Sequence, residues 1–76
     1  MMKNISEIRK NIRQKFQGDA ECNMVRVGNG PWFFEITVNM HNVIAQGNTE
    51  PDAWHNADQA CDNAKWNEKT REWEAK

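Results

Sequence analysis

Apolar side chains fall on every second position from Trp32 to Met40: Trp32, Phe34, Ile36, Val38 and Met40. Phe33, Glu35, Thr37 and Asn39 stand between them. A period of two is that of a strand with one face in a core. His41 and Asn42 follow as a predicted two-residue turn, in which Asn42 tolerates positive φ. Residues 43–47 then pair back, and the pattern sets Met40 opposite Val43, Val38 opposite Ala45 and Ile36 opposite Gly47. A helix starts almost at once. Thr49 is its cap, Pro51 fits the first turn, and Asp52 sits at the third helical position, where acids suit the helix dipole. Ala53, Ala57, Ala60, Cys61 and Ala64 share one face of it. Side chains that small let the helix axis lie close to the sheet, above Trp32, Phe34 and Met40. A tight hairpin feeding a capped, small-faced helix over residues 32–64 leaves the rest of the chain to pack around it.

Upstream, Asn4 and Glu7 have the spacing of a capping box. Ile5, Ile8, Ile12 and Phe16 then form a narrow helical stripe that Gly18 ends. Arg9, Lys10 and Arg13 flank that stripe. A weaker strand is expected at about 21–27, with Cys22 and Met24 alternating against Asn23 and Val25. It closes on the Gly28-Asn29-Gly30-Pro31 turn. The fold class expected from this order is α+β, αβββα: a three-stranded antiparallel sheet with both helices packed on one face.

Seventy-six residues are enough for one domain, expected over 1–76, with a small core. A hydrophobic fraction of 38%, with four Trp and three Phe, supports that core without crosslinks or metals. The net charge of −1 gives no overall attraction to nucleic acid or acidic membranes. Its distribution is uneven. Lys3, Arg9, Lys10, Arg13 and Lys15 against Glu7 give residues 1–17 a charge of +4, leaving −5 for the remainder. Cys22 and Cys61 lie far apart, and the start has neither the apolar run of a secretory leader nor any stretch long enough to span a bilayer. A cytoplasmic protein with two reduced, packed thiols is expected.

Residues 65–76, KWNEKTREWEAK, admit two readings. If the helix runs on straight, Trp66 and Trp73 stand seven residues apart on its outer side and face water. Glu68 with Arg71, and Glu72 with Lys76, then make surface pairs. If the helix breaks near 63–67, one Trp tucks beneath the core.

The order of elements resembles double-stranded-RNA-binding-like folds, which also place a Gly-x-Thr, here Gly47 and Thr49, before a helix with alanines at positions matching Ala53, Ala57 and Ala60. That family grips phosphates with lysines at the helix start. Glu50, Pro51 and Trp54 occupy those places here, and no histidine follows Gly30-Pro31, so the usual duplex binding is not expected. Residues 43–60 resemble the strand-to-helix segment of HicB-type antitoxins, G-x-T-x-x-(E/D)-A-x-x-N-A-x-x-A, through Gly47, Thr49, Asp52, Ala53, Asn56, Ala57 and Ala60. The match spans about a quarter of the chain and lacks that family's proline-containing turn and DNA-binding extension. It implies a domain that masks another protein.

No catalytic constellation emerges. Cys61 is expected inward and His55 outward, His41 lies in a turn, and the aspartates are scattered. No cofactor or metal is called for, since two Cys and two His lack ligand spacing. Binding surfaces are better represented: Trp66 and Trp73, Phe33 on the outer sheet face with Ile44 and Gln46, and the cations Arg9, Lys10 and Arg13. The function expected is a small non-catalytic binder that masks or inhibits a protein partner, a host, toxin or defence component. In size it looks like the inhibitors of phages and other mobile elements. The alternative is nucleic-acid binding through the basic first helix; a homodimer through the open sheet face is also compatible, and a membrane partner is not expected.

Overall fold

A computed structural model of the chain describes residues 4–39 and 42–74. Its elements are α1 (Ile5–Phe16), β1 (Ala20–Val25), β2 (Phe33–Val38), β3 (Asn42–Gly47), α2 (Glu50–Asp62), β4 (Lys65–Asn67) and β5 (Glu72–Glu74). The first five give the expected α+β, αβββα arrangement. β1, β2 and β3 form an antiparallel sheet in that order, while β4 and β5 make a separate two-stranded ribbon.

Both main helices begin at the expected caps. Asn4 Oδ1 accepts from the Glu7 amide at 2.9 Å, and Thr49 Oγ1 accepts from the Asp52 amide at 3.2 Å. Each satisfies one of the orphan N–H groups of a first turn. At the far end of α1 the left-handed position is taken by Gln17, with φ 57°, rather than by Gly18. Ile8 and Ile12 of α1 and Ala53, Trp54, Ala57 and Cys61 of α2 pack on Ala20, Ile36, Val38 and Ile44 of the sheet. Both helices therefore cover the same sheet face, and the opposite face is left open.

The hairpin departs from the expected register. Phe34 faces Gly47, Ile36 faces Ala45, Thr37 faces Val43 and Val38 faces Asn42, with the pairing shifting between Ile36 and Thr37. Ile44 is the extra residue of a β-bulge. Bulges break strict alternation, so Ile44 turns into the core, 8% exposed, beside Ala45 instead of lying on the outer face. Asn42, predicted in the turn, is instead the first residue of β3, and Asn39 is left-handed at φ 57°. Met40 and His41 lie outside the described residues, as does Lys76.

The small-faced helix lies close to the sheet. A Cβ on Gly47 would sit 2.8 Å from Ala53 Cα and 2.8 Å from the Asp52 carbonyl carbon, and closer still to the Ala53 nitrogen. Gly47 is therefore required by backbone proximity. Asn56 Nδ2 donates to the Gln46 carbonyl at 2.8 Å, fixing the same strand to the same helix. The large side chain in the core is Trp54, 2% exposed, whose Nε1 donates to Glu50 Oε1 at 3.4 Å. Trp32, expected beneath the helix, precedes β2 and is 56% exposed. The buried face of α2 is thus wider than its alanines: Trp54 fills the space that close packing leaves at its edge.

Candidate protein-docking surface

The last helix ends at Asp62, and the chain turns at Asn63 and Ala64 into β4. Neither Trp is on a helix. Lys65 pairs with Glu74, Trp66 with Trp73 and Asn67 with Glu72, so the seven-residue spacing is a cross-strand pair. The expected helical pairing of Glu68 with Arg71 gives way to the turn. Asn67 organises that turn: its Oδ1 accepts from the amides of Lys69 (2.9 Å) and Thr70 (3.3 Å), and its Nδ2 donates to Glu74 Oε1 (2.9 Å). Side-chain mimicry of a backbone turn is the ordinary strength of Asn, and Arg71, at φ 57°, closes the loop.

The two indoles meet edge to face, with centroids 5.6 Å apart and planes at 67°. Such pairs contribute about 0.5–1.5 kcal/mol beyond the area they bury. Lys15 Nζ lies 4.5 Å from the Trp73 centroid, a cation–π contact between α1 and the ribbon. Even so, Trp66 remains 49% and Trp73 37% exposed. Both tryptophans therefore stand at the surface, packed on each other, with Lys15 over Trp73 and the Asn67 turn joining their strands. The sequence signals for this ribbon are the two Trp flanking an Asn-initiated polar loop.

Arg9, Lys10 and Arg13 do come together, around a shallow groove of about 270 Å³ that Asp19 and Ala20 complete. Two of these cations have internal partners. The Arg9 guanidinium lies 5.5 Å from the Trp54 ring and donates to the Ala20 carbonyl at 3.3 Å. Arg13 meets Asp19 at 3.5 Å, both side chains exposed. Phe33 is half-buried at the start of β2, across from Val25 on the open sheet face. Thr37, on that same face, is buried beneath Asn23, whose Nδ2 donates to its Oγ1 at 3.3 Å. Gln46 Nε2 donates to Glu35 Oε2 at 3.2 Å. The open face is thus cross-linked by polar side chains, with Val25, Phe33 and Val43 as its apolar component.

The residues weighed for catalysis are apart. His55 is exposed and bonds Gln59 at 3.3 Å, whereas Cys61 is buried with its Sγ near the Asn11 carbonyl at 3.8 Å. Cys22 is half-buried, and burial, followed by the nearby Glu50 carboxylate, raises its thiol pKa above the ordinary thiol value. That is opposite to the activation a nucleophilic cysteine needs. No helix among the described residues is long and apolar enough to cross a membrane. No family model, curated protein or solved structure matches the chain.

Proposed function

We propose that this chain is a non-catalytic binding protein that masks a protein partner, in the manner of small inhibitors and antitoxins of phages and mobile elements. The observation that carries the reading is the pair Trp66 and Trp73, packed edge to face and still exposed on a ribbon built to display them. Tryptophan is the residue most enriched among those that dominate binding energy at protein interfaces, and rigid presentation lowers the entropy lost on docking. The internal engagement of Arg9 and Arg13 favours a steering role for the basic groove over a continuous phosphate-binding surface. The likeness of residues 43–60 to HicB-type antitoxins is in keeping with masking; there Gly47, Thr49 and Asn56 serve to join strand to helix.

The test is affinity capture from a cell lysate with the wild-type chain and the Trp66→Ala/Trp73→Ala double variant, each checked for folding by circular dichroism. A protein retained stoichiometrically by the wild type and lost with the folded double variant is expected. Equal retention by both would refute the tryptophan surface.

A further inference from the structure

A second groove, of about 490 Å³, lies where the start of β2, the end of β3 and the first turns of α2 meet. Trp32 and Phe33 supply its aromatic wall, and Gln46, Asn48, Asp52 and Asn56 supply its polar side. Asn56 commits its Nδ2 to the Gln46 carbonyl, and Gln46 commits its Nε2 to Glu35, in both cases to groups that can only accept. Each NH2 keeps a second N–H, while Oδ1 of Asn56 and Oε1 of Gln46 stand as acceptors, and Asn48 adds a further amide of both kinds. Asp52 is the single charged side chain in the lining, and no described residue pairs with its carboxylate, since Thr49 takes only its backbone amide. The groove thus offers a carboxylate and amide oxygens beside an indole.

We propose that this groove receives an arginine side chain of the protein partner. A guanidinium is planar, always charged, carries five donors and no acceptor, and stacks on aromatic faces. Each property meets a counterpart here: the indole for stacking, Asp52 for a charge-assisted hydrogen bond, and the amide oxygens for the remaining N–H groups. The chain itself shows that Trp32 accepts such a group, because Arg26 holds its guanidinium carbon 5.7 Å from that ring centroid. A lysine ammonium would satisfy Asp52 but has no planar face to stack and gathers its three donors at a single point. The inference rests on the reading of the chain as a protein binder, and it adds that the partner presents a basic residue at a site formed by β2, β3 and α2.

A small probe separates this inference from that reading. The peptide acetyl-Gly-Arg-Gly-amide is titrated into the ¹⁵N-labelled full chain, beside the same peptide carrying lysine or citrulline. Saturable shifts of the Trp32 indole and of the Asn48 and Asn56 side-chain amides are expected with arginine. Binding should weaken about tenfold or more with citrulline and in Asp52→Asn, as loss of a charge-assisted hydrogen bond requires. Trp32→Ala, at an exposed position before the strand, should weaken it as well while the dispersion of the remaining spectrum is kept. Absence of saturable shifts at these groups, equal binding of the lysine or citrulline peptide, or an unchanged response in Asp52→Asn would overturn the proposal. The readout is confined to Trp32, Asn48, Asn56 and the Asp52 variant, all away from the β4–β5 ribbon, so failure here leaves the Trp66/Trp73 capture experiment to stand or fall separately.

Discussion

Replacing Gly47 with alanine adds one methyl group at the point where strand and helix backbones run closest. That Cβ would lie 2.8 Å from Ala53 Cα and 2.8 Å from the Asp52 carbonyl carbon, and nearer to the Ala53 nitrogen. Ordinary carbon–carbon contacts begin near 3.5 Å, so relief needs a shift of more than half an ångström. All three obstacles are backbone atoms of the first turn of α2, which cannot rotate out of the way. The helix must lift from β3, and that movement strains the Asn56 bond to the Gln46 carbonyl and the seating of Ala57 and Trp54. Overpacking typically costs about 1–3 kcal/mol, and the upper end or beyond is expected where backbone must move. For a domain of this size, 3 kcal/mol lowers the melting temperature by roughly 12–24 °C. Urea unfolding followed by circular dichroism measures the loss. Ala53→Gly should not rescue the variant, because the clash is with backbone and not with the Ala53 methyl group. An unchanged midpoint for Gly47→Ala, or full rescue by Ala53→Gly, would refute the close approach of strand and helix.

Further outcomes follow from the same packing. Trp54→Ala should destabilise by about 3–5 kcal/mol, since it empties the largest buried side chain, and thermal unfolding reports it. Asn67→Ala removes two turn bonds and one cross-strand bond, so the Trp66–Trp73 contact should loosen and its exciton signal in the far-ultraviolet dichroism should fall, with the main sheet intact. Cys22, its thiol pKa raised by burial and then by Glu50, should react with iodoacetamide more slowly than a free thiol at pH 8. Because the folded state holds that proton more tightly than the unfolded chain, the associated stability is complete below the ordinary thiol pKa and declines as pH rises through the raised one; Cys22→Ala should remove that dependence.

Local signals in the sequence were sufficient wherever one residue satisfies one backbone group. Asn4 and Thr49 cap as their positions predict, and the alternation of Phe34, Ile36 and Val38 identifies the central strand. Register was not legible, because a bulge at Ile44 changes which residue opposes which without altering composition. Its consequence, a buried isoleucine on an edge strand, follows from packing beneath α2. The β4–β5 ribbon was hidden for a different reason. Lys, Glu and Arg dominate residues 65–74, all of them good helix formers, so propensity favoured extending α2. The competing terms were the Asn67 turn and the Trp66–Trp73 contact, and the latter exists only once the two strands are paired. Trp54 was obscured by its neighbours: an alanine face suggests a narrow contact, and only the depth of the helix over the sheet shows that an indole fits beside it. Of the proposed docking residues, the exposure of the tryptophans was one of two open sequence readings, while the partners of Arg9 and Arg13 are set by how α1 lies against α2 and the start of β1.

The most direct test of the tryptophan surface is titration calorimetry of the captured partner against three forms of the chain, at about 50 mM and 300 mM salt. The forms are the wild type, Trp66→Ala/Trp73→Ala, and Arg9→Ala/Lys10→Ala/Arg13→Ala. Loss of about 2 kcal/mol or more in the tryptophan variant is expected, as for dominant interface residues. The triple variant should bind with a modest loss, and wild-type affinity should change little with salt. Full affinity in the tryptophan variant, together with steep salt dependence that vanishes when the three cations are removed, would contradict it and place recognition on the basic helix.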